Sequence, residues 1–227
     1  MPLSLGDPVT YSVRRRRLDC DLDAESGLLR GRVLEIGCGR LSRRGRFRPP
    51  SAAVSRWVYV DRDLARAPHI CADAARMPIR DSAFDTVVCL EVLEYVWEPA
   101  AALAEMRRLL KPGGTLLLST PFLHRVDADN DYWRFTEPAL RRLLRESGFD
   151  VIRCVAQGSA FAVAANVLRY AVSVQGAGMR RALSIVLRPF FAILLRSDSA
   201  TASRRPVLAT FTTGYLVVAR RAAPLRA

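Results

Sequence analysis

A chain of 227 residues, half of them hydrophobic, can bury one substantial core, so length and composition predict a single domain. The formal charge of +13 is carried almost wholly by arginine, since Lys111 is the only lysine; the clusters at 14–17, 40–48 and 204–205 would draw phosphates of nucleic acid, lipid or metabolite, or simply keep a surface solvated. Five cysteines, at 20, 38, 71, 89 and 154, form no Cys-x-x-Cys pair, which excludes a disulfide framework and a metal site and reads as small apolar residues buried in a reducing compartment; residues 1–7 lack the basic-then-apolar run of a secretory signal, so the cytoplasm is the expected location.

Residues 1–30 are polar and basic with little periodicity and are expected to form an arm or short helix ahead of the domain at 31–227, where they can cover a substrate. Short β-rich runs follow at 33–36, 57–60, 86–90 and 115–119, nearly continuous in apolar character, as parallel strands buried on both faces require. Between the last two, Leu103, Met106, Leu109 and Leu110 share one helical face within 99–110, and Lys111-Pro112-Gly113-Gly114 should stop that helix. A helix at 137–147 is predicted from Thr136 as N-cap, Pro138 in the first turn and Gly148 beyond the end. Residues 149–155 then read as a sixth strand.

The first strand runs into Gly37-Cys38-Gly39, and Tyr59-Val60-Asp61 ends the second on an acid. Glycines without Cβ let backbone approach a ligand, so this is a site for a nucleoside-bearing cofactor. A dinucleotide fingerprint needs a third glycine where Ser42 stands, and Glu35 would repel a pyrophosphate; a cationic, phosphate-free ligand fits better.

These residues resemble the first motifs of the class I S-adenosylmethionine-dependent methyltransferases. The resemblance continues through Cys71-Ala72-Asp73-Ala74 with Met77-Pro78, Ser82-Ala83-Phe84-Asp85, Leu93-Glu94-Tyr95-Val96 and Leu109-Leu110-Lys111-Pro112-Gly113-Gly114, over roughly residues 28–157. It implies an α/β fold: one Rossmann-like, doubly wound, mostly parallel seven-stranded sheet with an antiparallel last strand, for which 212–219 is the candidate. It implies S-adenosylmethionine as cofactor. By resemblance, Gly37, Cys38 and Gly39 would approach its methionine part, Glu35 would set the loop and the amino group, and Asp61, with Arg62 beside it, would bind the ribose hydroxyls. Asp73 and Ala74 would meet the adenine, with Met77 either packing on that ring or belonging to the core. Leu90 and Glu91 would line the methyl-transfer cleft. Tyr95 stands where the family often has histidine, and Leu41 where it often has glycine, which suggests a loop rearranged around the arginines at 40–48.

The loop at 121–136, dense in His, Asp and aromatic residues, resembles the signature of a methyltransferase subgroup that accompanies sugar and polysaccharide biosynthesis, a histidine followed by Asp-Tyr-Trp-Arg-Phe-Thr, here with six residues between His124 and Asp131. His124 is the candidate general base, with Asp131 orienting it or acting in its place; the alternative is that both brace the loop. The stretch at about 158–206 reads as an apolar helical insertion between strands six and seven, with helices at 161–174 and 182–195 around Gly176-Ala177-Gly178. Both are too short and too interrupted, by Arg169, Arg188 and Pro189, to cross a membrane. Arg181, Arg188 and Arg196 fall within an arc of roughly 80° on an ideal helix, so 159–196 could lie in a membrane interface or serve as lid or dimer helix. The expected activity is methyl transfer to a hydroxyl or similar nucleophile of a small or lipid-linked acceptor. The two rivals are an RNA methyltransferase, which the charge favours but for which the chain has neither an RNA-binding module nor an Asn/Asp-Pro-Pro-aromatic motif, and a non-catalytic binding protein on the same fold.

Overall fold

Strands β1 (Gly31–Ile36) and β4 (Phe84–Leu90) are buried on both faces along their apolar runs, whereas β2 (Val54–Asp61) buries only Val58 and Val60, on one face. In the computed structural model, which describes residues 11–39, 45–48, 52–202 and 205–223, they join β3 (Ile70–Cys71), β5 (Leu110–Pro121), β6 (Phe149–Ala156) and β7 (Gly214–Arg221) in one seven-stranded sheet. The spatial order is β3-β2-β1-β4-β5-β7-β6. The first five strands pair in parallel, and β7 enters antiparallel between β5 and β6, so the sheet is Rossmann-like with the expected reversed last strand.

Successive residues of each central strand serve opposite faces. Leu34, Ile36, Leu116 and Leu118 enter the larger core, under α2 (Pro99–Leu109) and α3 (Glu137–Glu146), whereas Val33, Val88, Leu117 and Leu216 enter the second, which Leu18 and Leu22 of α1 (Val13–Ala24) cover. The expected arm is therefore a packed helix, capped by Ser12, whose Oγ accepts from the Arg15 amide at 2.9 Å. Thr136 caps α3, accepting from the Ala139 amide at 3.4 Å. Residues 111–114 behave differently from expectation: α2 ends at Leu109, but the chain goes straight on as a strand from Leu110, with Gly113 taking the positive φ of 72° that this path demands.

Between β6 and β7 lie α4 (Ala160–Ser173), α5 (Ala177–Ala202) and α6 (Pro206–Ala209). The second helix is longer than predicted and passes through Pro189. Its missing amide costs one intrahelical bond, which packing offsets: Phe191 is fully buried, and Leu187, Leu194 and Leu195 pack with it against Ala162 and Ala165 of α4 and Val13 of α1. Among the described residues no helix is long and apolar enough to cross a membrane, and no group of acids, cysteines and histidines could hold a metal ion. All five cysteines are free. Cys38 and Cys89 are buried as expected, but Cys20 and Cys71 are exposed.

Candidate active site

The carboxyl ends of β1 and β2 are stapled together. Gly37 and Cys38 donate their amides to the Val60 carbonyl at 2.8 and 3.3 Å, and Gly39 donates to Asp61 Oδ2 at 3.0 Å. Gly37 has φ 72°, and a Cβ there would sit 2.1 Å from Val92 Cγ2, so backbone geometry and space both demand glycine. Asp61 Oδ1 accepts from the Asp63 amide at 3.0 Å. A carboxylate offers about four lone-pair sites, so this arrangement fixes the group and leaves acceptor capacity for a ligand.

Two adjoining cavities open here. The larger, about 740 Å³, is lined by Asp61, Arg62, Asp73 and Ala74 with Tyr95 and Asn130; the smaller, about 550 Å³, is lined by Glu35, Cys38, Leu90 and Trp57. Gly37, Gly39 and Glu91 belong to both. Every cofactor residue expected from the sequence thus borders one of two connected spaces. Glu35 is buried and accepts from Trp57 Nε1 at 2.8 Å, which holds it beneath the loop. Asp73 Oδ1 accepts from the Ala75 amide at 2.8 Å and closes a tight turn. Met77 borders neither space; it is part of the core, so the core alternative holds for it. Of the 40–48 loop, residues 40–44 lie outside the described residues, and with them Leu41 and Ser42.

Glu91 stands at the end of β4 with φ 58°, a strained setting for a non-glycine residue that turns its carboxylate into the site. Its Oε1 accepts from Ser119 Oγ at 2.8 Å, and Oε2 forms an ion pair with Arg14 of α1. Further polar groups stand around Arg14. Glu94 is only 1% exposed, and burial, the largest influence, pushes its carboxyl up to about 8, against its own backbone hydrogen bond and the nearby Arg14, so it is protonated at neutral pH. Tyr95 donates its hydroxyl to Asp127 Oδ1 at 2.8 Å.

The 121–136 loop packs against the segment at Glu94–Val96. Tyr132 donates its amide to the Glu94 carbonyl at 2.9 Å, Trp133 Nε1 donates to the Val96 carbonyl at 2.9 Å, and the Trp133 and Phe135 rings stack at 6.1 Å. The His124 side chain is 4% exposed, with Nε2 3.8 Å from Asp127 Oδ2 and its ring 5.5 Å from that of Tyr170 on α4. Burial first, and the charge of Arg14 second, pull its pKa down to about 4, so the imidazole is neutral at physiological pH. Its Nδ1 is buried without a hydrogen-bond partner. Asp131 does not orient it. Both Asp131 oxygens are taken by Arg134, which holds the carboxyl below its usual range, and Oδ2 also accepts from the Asp127 amide at 3.2 Å. The acid beside His124 is Asp127, which the spacing of the motif did not single out.

Sequence reasoning also passed over Arg14. Nothing distinguishes it within Arg14-Arg15-Arg16-Arg17 except its neighbour Val13, which with Leu18 and Leu22 gives α1 its buried side.

Residues 34–118 match the family described as a methyltransferase domain. A probable S-adenosylmethionine-dependent methyltransferase of Mycolicibacterium smegmatis is 36% identical over 100 residues, 39% of this chain and 37% of that one. A ubiquinone biosynthesis O-methyltransferase of Neisseria meningitidis is 28% identical over 173 residues, 62% of this chain and 72% of that one; for the same-named protein of Sodalis glossinidius the match covers 49% of its length. The chain thus spans about half or less of the length of two of these three relatives. Among solved structures, a putative methyltransferase from Bacillus halodurans superposes with a TM-score of 0.56 at 19% identity, covering 90% of this chain and 99% of that one. A cyclase covers 92% and 82% with a TM-score of 0.57 at 20% identity, so the same fold also serves other chemistry.

Proposed function

We propose, starting from a chain that carries a class I S-adenosylmethionine-dependent methyltransferase domain, that the protein methylates a hydroxyl or similar nucleophile on a small or lipid-linked acceptor. One observation carries the reading: a cleft of about 740 Å³ bordered by Asp61, Asp73 and Glu91 stands beside the Glu91–Arg14 ion pair, whose guanidinium also lies in electrostatic reach of the buried, neutral His124.

The residues fit the cofactor. Gly37 and Gly39 leave the loop open to a ligand's approach, Asp61 retains acceptor capacity for two vicinal hydroxyls, and Asp73 has its second oxygen for an exocyclic amino group. S-adenosylmethionine supplies a methyl group already activated on a sulfonium. The protein has therefore mainly to bind, align and keep water out. Glu91 borders both cavities with its carboxylate held by Ser119 and Arg14. His124 accepts the acceptor's hydroxyl proton, its neutral form being the one burial enforces, while Asp131 and Arg134 keep the loop in place.

Turnover of a methylated product, followed by mass spectrometry, tests this. His124→Ala is expected to lower kcat about a hundredfold with affinity for S-adenosylhomocysteine unchanged, and the wild-type rate should show no inflection near pH 6.5, because a histidine held at about 4 has already lost its proton there. A loss smaller than threefold would remove His124 from the chemistry. Salt-sensitive RNA binding with RNA methylation would favour the nucleic-acid alternative.

The acceptor's lipid-linked character is favoured by α5. Met179, Val186, Phe190 and Ile193 are 47–69% exposed along one stripe, with the exposed Arg181, Arg188 and Arg196 on a separate arc of the same helix. An exposed apolar stripe on a helix that also carries guanidinium groups suits an anionic bilayer surface at the cytoplasmic face. Co-sedimentation with phosphatidylglycerol vesicles should be lost when Phe190 and Ile193 are both replaced by Asp; equal sedimentation of the wild type and the double variant would contradict it.

A further inference from the structure

Arg14 is delivered to the site by packing, not by chance exposure. Val13 beside it is locked among Ala162, Ala165 and Phe191 of α4 and α5, and Leu18 and Leu22 fix the rest of α1 on the sheet. The guanidinium ends against Glu91, which borders both cavities, with Asp127 in electrostatic reach and Glu94, Tyr95 and Tyr170 close by. Only 17% of its side chain remains exposed.

Its hydrogen bonding is incomplete. Nη1 meets Glu91, but Nε is buried without a partner. A buried donor left unmade costs about 1–3 kcal/mol, more when charged, and such groups in a cleft mark where a ligand atom belongs. The ligand atom must be an acceptor, because a guanidinium only donates. The neighbouring groups agree on its charge. Glu91 already uses one oxygen for Ser119 and the other for Arg14, Asp127 takes Tyr95, and Asp131 takes Arg134, so these carboxylates are engaged and not waiting for a cation. Glu94 is protonated and His124 neutral, so neither adds a charge beside the guanidinium.

We propose that Arg14 binds an anionic oxygen group of the acceptor, a carboxylate or phosphate, and so positions the neighbouring hydroxyl for methylation. This rests on the methyltransferase reading above. The edge of a guanidinium is shaped for such oxyanions and binds them with two parallel hydrogen bonds. An acceptor missing that group would leave Arg14 buried and half-satisfied, so the residue also selects among acceptors. Because α4 and α5 clamp Val13, the same contact ties acceptor binding to the helices between β6 and β7.

The test uses the full chain saturated with S-adenosylhomocysteine and a panel of small hydroxylated carboxylates and phosphate monoesters, each paired with its uncharged amide or alcohol counterpart, read by ligand-observed NMR. The anionic member of each binding pair should bind at least tenfold more tightly, Arg14→Gln should abolish that preference, and Arg14→Lys should keep part of it. S-adenosylhomocysteine affinity and melting temperature should stay near wild type in both variants. Equal binding of charged and uncharged members, no binding by any member, or a preference that survives in Arg14→Gln overturns the proposal while leaving the methyltransferase reading intact. Failure of the wild-type chain to take up S-adenosylhomocysteine overturns both.

Discussion

Asp61→Ala is expected to weaken S-adenosylhomocysteine binding by about 10²–10³-fold, measured by calorimetry, while the fold survives. Two hydrogen bonds from a ribose diol to one carboxylate are charge-assisted and contribute about 1.5–3 kcal/mol each, or about 3–4 kcal/mol together after imperfect geometry. The substitution also removes the acceptor that holds the Gly39 and Asp63 amides, at 3.0 Å each, so the glycine loop loses its tie to β2. Asp61→Asn keeps one acceptor oxygen and should cost about tenfold. Stability should change little, because the side chain is only half-buried at a strand end and makes no contribution to the apolar core. A variant that bound the ligand as the wild type does would show that the larger cavity does not grip it by the sugar.

The second large effect concerns stability. Asp198, on α5 and 7% exposed, accepts from the Ser159 amide at 2.9 Å, from Ser159 Oγ at 2.5 Å and from the Ala162 amide at 3.0 Å. It thereby caps the first turn of α4 from a distant helix, where the exposed amides and the helix dipole both favour a negative charge. Asp198→Ala leaves two amides and a hydroxyl buried without partners, at about 3–4 kcal/mol in all. For a domain of this size that is a fall in melting temperature of roughly 10 °C. Hydrogen exchange should quicken first in 160–202, since α4 and α5 lose their common anchor while the seven-stranded sheet keeps its own core. A drop below about 1 kcal/mol would mean that the carboxylate does not cap α4 in solution.

Much of this architecture could be read from residue order because the physical signals were local. The apolar runs at 33–36 and 86–90 have no alternation to hide, and the cap-to-glycine punctuation of α3, Thr136 to Gly148, lies within a few residues of the helix it bounds. The glycine loop and Asp61 were legible for the same reason: a positive φ and a strand-terminal acid leave marks in composition. The two-residue β3 was too short to show any period. Pro189 misled, because the cost of an interior proline is met by packing from Phe191 that only the tertiary structure supplies. The loop at 121–136 shows the limit most clearly. Its content of His, Asp and aromatics pointed to the site, but which acid faces His124 depends on how Arg134 folds back onto Asp131, and that leaves Asp127 nearest the imidazole. Arg14 was invisible for a simpler reason, since a run of four arginines carries no information about which one reaches Glu91.

The packing of α1 against the helices after β6 ties the start of the domain to the segment between β6 and β7. Val13, Phe191 and the small residues Ala162 and Ala165 form a separate apolar cluster, so α1, α4 and α5 move or stay as a unit. Arg169 of α4 stacks on the Tyr170 ring at 4.1 Å, and that ring lies 5.5 Å from His124.

Titration of the purified wild-type chain with S-adenosylhomocysteine by calorimetry reaches the centre of the account. Saturable binding at one site per chain, in the micromolar range and lost on Asp61→Ala, is the predicted result. No heat of binding from a correctly folded wild-type protein would contradict the assignment of this cleft to the cofactor, and with it the proposed activity.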